Sequence, residues 1–286
     1  MPELPEIETI KLDLERVLLN KKIKSVTVNL AKQVKSQLKK FHQTVSGSII
    51  KKIYRRAKTV IFELNNKHYL VFHLKMSGQL IYRQKNNKFL GGGHPISHNL
   101  KDLPNKYSHI IFDFADKSKL FFNDQRQFGW VKLFNSQEFA DYDNSFGPEP
   151  LDKDFTYLKF KQIIKPKKKA IKPLLMEPKI VAGIGNIYAA ESCFCAGILP
   201  TRSAHTLSET ELKKLYQCIK KVLKLAIKKR GTSADKYVDA FGRQGSMNKS
   251  LKVYARAGEK CPRCNHKIHQ LRQSSRSTFY CPKCQK

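Results

Sequence analysis

The residues best placed to do chemistry are four cysteines near the C-terminus, Cys261-Pro262-Arg263-Cys264 and Cys281-Pro282-Lys283-Cys284. Two knuckles of this spacing bring four thiolates to one point, and Zn2+ takes four such ligands in a closed tetrahedron. With every position filled by protein, no place remains for a catalytic water. The expected metal is therefore one structural Zn2+, stiffening a segment too short to fold alone. Iron in a similar four-thiolate cage is the alternative. His266 and His269 lie between the knuckles and are not needed as ligands. The remaining three of the seven cysteines, Cys193, Cys195 and Cys218, fall on helical segments and read as small buried apolar residues. An odd cysteine count with two tight pairs points to metal binding in a reducing compartment rather than to a disulfide framework.

The charge balance names a partner class. Lys and Arg number 55 against 23 Asp and Glu, a formal charge of +32 at pH 7. Such an excess favours a polyanion, because each neutralised phosphate releases counterions. Nucleic acid is the leading partner, with an anionic membrane surface or a ribosome as rival. No apolar run reaches the roughly 18 residues of a membrane span. Glu3, Glu6 and Glu8 stand where a signal peptide carries positive charge. The expected location is the cytoplasm, at the nucleoid.

The elements that must position these groups change character along the chain. The 286 residues, 41% of them hydrophobic, suffice for two domains with real cores at roughly 150 residues each. Ile7, Ile10, Leu14, Val17 and Leu18 recur at helical spacing, with Pro5 and acidic Glu6 and Glu8 suited to a first turn. Strand-like segments follow at Lys24–Val28, Ile49–Tyr54, Thr59–Leu64, Tyr69–Leu74, His109–Phe114, Lys119–Phe122 and Val131–Phe134. Asn65-Asn66-Lys67 and Asp116-Lys117-Ser118 read as hairpin turns, and Gly91-Gly92-Gly93 as surface loop. Many short strands with tight turns predict a sandwich or barrel. After Phe146-Gly147-Pro148-Glu149-Pro150 the pattern turns helical. Ser208 to Glu211 forms a capping box, followed by an apolar stripe from Leu212 to Ala226 that Lys228-Lys229-Arg230-Gly231 closes.

The start Met1-Pro2-Glu3-Leu4-Pro5-Glu6, taken with the cysteine finger, resembles the bacterial formamidopyrimidine-DNA glycosylases. The resemblance runs in order through Arg55-Arg56-Ala57-Lys58, His73-Leu74-Lys75-Met76-Ser77-Gly78 and Asp124-Gln125-Arg126-Gln127-Phe128-Gly129. It continues through Gly147-Pro148-Glu149-Pro150, Ala170-Ile171-Lys172-Pro173, Val181 to Ala189 and Arg276-Ser277-Thr278-Phe279-Tyr280-Cys281. It implies an α+β fold, with an N-terminal β-sandwich flanked by helices and a helical helix–two-turn–helix domain carrying a zinc-binding β-hairpin. The expected boundaries are 1–135 for the catalytic sandwich, 136–153 for a linker and 154–231 for the helical domain. A base-capping loop is expected at 232–250 and the finger at 251–286.

The resemblance also assigns roles. Loss of Met1 leaves Pro2 with a secondary amine that attacks the anomeric carbon of the sugar as the base departs. Glu3 is the acid, and a carboxyl in that role needs burial to hold a proton near neutral pH; Glu6 supports the site from one helical turn away. Lys58 assists the elimination that cuts the strand. Arg276 grips the phosphate beside the lesion and serves the second elimination. A damaged base must be extruded from the duplex, and Met76, Arg126 and Phe128 fill the gap as plug, partner of the orphaned base and wedge.

Gly183-Ile184-Gly185-Asn186 reads as a turn offering backbone N–H groups to a phosphate, or equally as tight packing; by resemblance Asn186, Lys172 and Lys168 contact phosphate there. Tyr107 stands where the family often has a DNA-contacting His, and its hydroxyl can still donate to phosphate; Gln125 and Gln127 also depart from the common pattern. The expected enzyme is a monomeric DNA glycosylase and abasic-site lyase for oxidised purines on damaged double-stranded DNA, with no membrane partner. Its relative endonuclease VIII, which prefers oxidised pyrimidines, typically has Gly where this chain has Leu4. A non-enzymatic zinc-finger binder would have no use for Pro2, Glu3 or Lys58.

Overall fold

A computed structural model describes residues 1–93, 100–232, 238–239 and 245–286. The chain divides into two compact units, Met1–Asn144 with Lys229–Ser246, and Ser145–Lys228 with Met247–Lys286.

The first unit opens with α1 (Leu4–Leu18), whose Ile7, Ile10, Leu14 and Leu18 form one buried stripe. There follow β1 (Ile23–Val28), α2 (Leu38–Val45), β2 (Ile50–Arg56), β3 (Thr59–Leu64), β4 (Tyr69–His73), β5 (Gly78–Arg83) and β6 (Phe89–Gly93). Next come β7 (Ser108–Phe114), β8 (Lys119–Asp124), β9 (Trp130–Phe134), α3 (Ser136–Asn144) and the two-residue β10 (Val238–Asp239). The strands form two antiparallel sheets, β1-β7-β8-β5-β6-β10 and β2-β3-β4-β9. Phe62 and Phe72 of the smaller sheet meet Phe112 and Phe122 of the larger in one core that also takes Ile10, Leu14 and Phe41 from the helices. The centroids of Phe62 and Phe72 lie 4.8 Å apart, and Phe72 meets Phe112 edge-on at 5.8 Å. This is the helix-flanked sandwich expected from the sequence.

The anticipated strands are present to within two residues at their ends. Both anticipated turns close, Leu64 N–H on His68 O and Phe114 N–H on Ser118 O, with Lys67 and Lys117 at positive φ. Three expectations change. Gly91–Gly93 is no surface loop: it pairs with β5, Gly91 opposite Ile81 and Gly93 opposite Gln79, and is buried. A Cβ on Gly91 would sit 1.9 Å from Leu80 O, so glycine there permits close backbone approach rather than flexibility. Neither β5, β6 nor α2 was legible from periodicity. The segment expected as linker begins with α3, because Phe139 and Tyr142 cover the outer face of the smaller sheet, Phe139 stacking on Tyr69 at 4.1 Å.

The second unit holds α4 (Tyr157–Ile164), α5 (Ile171–Leu175), α6 (Asn186–Ala196), α7 (Glu209–Lys228) and the hairpin β11 (His269–Gln273) and β12 (Arg276–Tyr280). The capping box forms as expected: Ser208 N–H donates to Glu211 Oε2 at 2.8 Å, and Glu211 N–H to Ser208 Oγ at 3.2 Å. The apolar stripe of α7 is buried from Leu212 to Ala226. Cys193 is buried as a free thiol, its pKa pushed up to about 12 by desolvation. Cys195 and Cys218 are not simply apolar fillers, however: they form a disulfide between α6 and α7 with Cα atoms 5.7 Å apart. Only the packing of the two helices brings these cysteines face to face. Among the described residues no helix is long and apolar enough to cross a membrane.

Candidate active site and nucleic-acid interface

The chain start is organised by α1. Glu3 is its N-cap and is 4% exposed, and a capping box joins it to Glu6, with Glu3 N–H donating to Glu6 Oε2 at 2.9 Å. Glu6 is itself buried, and its other oxygen accepts Thr232 N–H at 2.8 Å. Pro2 therefore directly precedes a residue fixed on two sides. Lys58 sits in the turn between β2 and β3, where Ala57 takes φ +50°. Arg55 ties that turn to α1, donating from Nε to Glu8 Oε2 at 2.9 Å and from Nη1 to Ala57 O at 3.0 Å. One guanidinium thus couples the lysine turn to the helix that bears Glu3.

Met76 and Phe128 are large apolar side chains left 38% and 55% exposed. Met76 rides a tight turn from Leu74 to Gly78, closed by Gly78 N–H on Leu74 O at 2.8 Å. Arg126 and Phe128 ride the turn after β8, with the guanidinium 4.9 Å from the Phe128 ring centroid and Gln127 at φ +57°. The fully buried carboxylate of Asp124 joins the two turns. Its Oδ1 accepts from Ser77 Oγ and from Arg126 N–H at 3.2 Å; its Oδ2 accepts from Gly129 N–H at 2.6 Å and Gln33 Nε2 at 3.0 Å. Tyr107 is half-buried near the same corner, its carbonyl accepting Asp124 N–H at 3.1 Å and its ring under Lys106 Nζ. His73 Nδ1 accepts Lys75 N–H at 3.0 Å. Desolvation, then the charges of Lys75 and Lys58, push its pKa down to about 3, so the imidazole stays neutral beside two ammonium groups.

In the second unit the turn Gly183–Gly185 leads into Asn186, the first residue of α6, with Gly183 at φ +82°. Lys172, expected on phosphate, is 1% exposed. Its Nζ donates to Asn186 Oδ1 at 2.6 Å and Thr278 Oγ1 at 2.8 Å, while Asn186 Nδ2 donates to Ser277 O at 3.1 Å. Lys172 thus underlies the turn and pins it to β12, the strand that begins at exposed Arg276. Lys168 is exposed on the loop before α5, where its carbonyl accepts from Ser203 Oγ.

The four cysteine sulfurs lie within 4.8 Å of one another, Cys261 and Cys284 at 3.8 Å and Cys264 and Cys281 at 3.5 Å. A zinc tetrahedron with bonds of about 2.3 Å has edges of about 3.8 Å, so the site fits Zn2+. His266 and His269 stand outside that cluster. Glu191 of α6 anchors the approach to the finger, its buried carboxylate accepting the N–H groups of Lys252, Val253 and Tyr254 at 2.9–3.0 Å.

Known proteins match this arrangement along the chain. The formamidopyrimidine-DNA glycosylase N-terminal domain matches residues 1–131, the H2TH domain of the same glycosylase residues 146–237, and the zinc finger found in FPG and IleRS residues 258–286. A formamidopyrimidine-DNA glycosylase of Carboxydothermus hydrogenoformans is 44% identical over the whole of both chains. The chain belongs to the formamidopyrimidine-DNA glycosylase family. The glycosylase of Desulfitobacterium hafniense, a second relative, is 35% identical over 100% of each chain. Among solved structures, the Lactococcus lactis Fpg in complex with DNA containing an abasic site superposes with a TM-score of 0.86 at 32% identity, covering 99% of each chain. The same protein bound to DNA containing N7-benzyl-Fapy-dG also gives 0.86, over 100% of each. Membership in this family makes the chain a DNA glycosylase with abasic-site lyase activity and a zinc finger.

Sequence reading missed several supports of the site. Glu6 was expected to help from one turn away, but its bond to Thr232, distant in sequence, had no signal. His73, Asp124 and Glu191 carried none beyond standing in or near the quoted motifs. Of the base-capping segment 232–250, residues 233–237 and 240–244 lie outside the described residues.

Proposed function

We propose that this DNA glycosylase excises oxidised purines, chiefly 8-oxoguanine and ring-opened formamidopyrimidines, and then cuts the abasic strand by β,δ-elimination. Once Met1 is removed, the Pro2 nitrogen bonds to the sugar's anomeric carbon as the glycosidic bond breaks and its electron pair leaves with the base. Glu3 supplies the proton for the ring oxygen or the departing group, and its near-complete burial suits a carboxyl that must hold one. The resulting Schiff base makes the adjacent carbon acidic. Lys58 assists the first elimination and Arg276 the second.

Met76, Arg126 and Phe128 occupy the space of the extruded nucleotide. Asn186, with Lys172 beneath it, Lys168 and Tyr107 hold the backbone phosphates. The four cysteines hold one Zn2+, which stiffens the hairpin carrying Arg276 and supplies no catalytic water. The enzyme works as a monomer in the cytoplasm, at the nucleoid.

The observation that carries this reading is the start of α1: a proline that gains a secondary amine on loss of Met1 stands next to a buried acid that is itself locked by Glu6. Borohydride trapping on a duplex with 8-oxoguanine opposite cytosine, followed by mass spectrometry, tests it. A covalent adduct on Pro2 is expected. An adduct formed only with an oxidised pyrimidine would move the enzyme to the substrate class of endonuclease VIII. No adduct with either, despite tight binding and confirmed loss of Met1, would leave a DNA binder without this chemistry.

A further inference from the structure

The carboxylate of Asp124 is fully buried and takes four donors, and its bonds have a direction. One oxygen faces the Met76 turn through Ser77, and the other faces the far end of the Arg126–Phe128 turn through Gly129. Ser77 closes the bridge, because its Oγ also accepts Arg126 N–H at 2.9 Å. The fit is tight on both sides. A Cβ on Gly129 would stand 2.9 Å from Asp124 Oδ2, and one on Gly78 would stand 2.4 Å from Leu74 O. His109 Nε2 donates to the Asp124 carbonyl at 2.8 Å and fixes the backbone behind the carboxylate.

A buried carboxylate is a costly way to join two turns, since well-packed apolar groups of similar volume serve stability as well or better. What a carboxylate offers is geometry: four donors converge on two oxygens from three separate segments. The residues between those anchors, Met76, Arg126 and Phe128, are the ones the fold leaves outside, and burying them contributes nothing to the core. We propose that Asp124 is the positioning residue that sets the spacing of Met76 against Arg126 and Phe128, and thereby governs extrusion of a base from duplex DNA. The inference rests on the reading of those three residues as fillers of the gap in the duplex.

Asp124→Asn tests it with little change in volume. The new amide keeps one acceptor and gains one donor. Gln33 can accommodate this by turning its own amide, because its Oε1 has no hydrogen-bond partner among the described residues. The backbone N–H groups cannot turn: with the amide nitrogen toward Gly129 that N–H is orphaned, and with the nitrogen toward Ser77 the direct Arg126–Asp124 bond at 3.2 Å is lost and Arg126 N–H rests on Ser77 Oγ alone. Two reactions separate positioning from folding: single-turnover excision of 8-oxoguanine from a duplex, and cleavage at an abasic site in a single strand, where there is no partner strand to hold apart.

Asp124→Asn is expected to slow duplex excision by about 10- to 100-fold, the scale of a misplacement near 1 Å, and to leave single-strand cleavage unchanged. Ser77→Ala, which removes one arm, should give the same pattern more weakly. Met76→Ala serves as the reference. If Met76→Ala slows duplex excision and Asp124→Asn does not, the positioning role is wrong while the gap-filling reading stands. If Met76→Ala leaves duplex excision unchanged, the gap-filling reading fails and this inference with it. Equal loss of both reactions in Asp124→Asn, with a lowered melting temperature, would make Asp124 a folding residue only.

Discussion

Replacing Glu6 by glutamine removes a single charge at the base of the proposed catalytic start, and the structure fixes what must follow. Two backbone N–H groups point at different oxygens of this side chain, Glu3 at Oε2 and Thr232 at Oε1. Glutamine presents one oxygen and one NH2, so one buried N–H must face another N–H whichever way the amide turns. The side chain has little room to move away, because a Cβ on Gly231 would lie 2.7 Å from Oε1. A hydrogen bond to a charged acceptor contributes about 1.5–3 kcal/mol, and an orphaned buried donor costs about 1–3 kcal/mol. These overlap in part, so the expected loss is about 2–4 kcal/mol in urea unfolding. The N-cap of α1 shifts with it, and single-turnover excision should fall at least about tenfold, because Pro2 and Glu3 lose their fixed direction. A stability change below about 0.5 kcal/mol, the range of ordinary surface substitutions, would refute the two-donor argument. Lost stability with wild-type excision would separate Glu6 from the chemistry.

Other outcomes follow from the same geometry. Cys281→Ser should lose zinc, measured by metal stoichiometry, together with DNA binding, because an isolated two-stranded hairpin does not hold its shape in water; unchanged binding by the metal-free variant would remove the finger's structural role. Pro2→Gly should lose most base excision in a strand-nicking assay, and full retained activity would take the amine role from Pro2. His73 is neutral in the folded chain down to about pH 3, whereas an unfolded histidine takes up its proton below about 6.5. The unfolded state therefore binds more protons across that window, and stability falls with acid, by about 1.4 kcal/mol at pH 5.5 relative to pH 8. His73→Asn should remove that contribution, so that the fall in unfolding free energy from pH 8 to pH 5.5 in urea titrations is smaller than in wild type by about this amount. The Cys195–Cys218 bridge closes a loop whose constraint on the unfolded chain is of order 3 kcal/mol. Cys218→Ala should melt lower than wild type without reductant and match it with reductant; equal melting under both conditions would show that the bridge does not form in solution.

Much of this protein was legible one residue at a time. The paired Cys-x-x-Cys knuckles specified a tetrahedral thiolate site because ligand spacing and ligand type are both local properties. The stripe of α1, the capping box of α7 and the turns at Lys67 and Lys117 were legible for the same reason: helical and hairpin periodicities repeat over a few residues. The family motifs located the proposed chemistry at Pro2, Glu3 and Lys58.

What the sequence could not display was anything set by contact between distant segments. The glycine run at Gly91–Gly93 has the composition of a loop, and only pairing with β5 reveals a strand whose backbone lies too close for a side chain. Cys195 and Cys218 each have the character of a core residue, and only the packing of α6 on α7 makes them partners. Lys172 is one lysine among many until its ammonium is found buried beneath Asn186. Asp124 and Glu6 depend most completely on tertiary structure. Each carboxylate collects donors from segments far apart in the chain, and no local periodicity encodes where those donors converge.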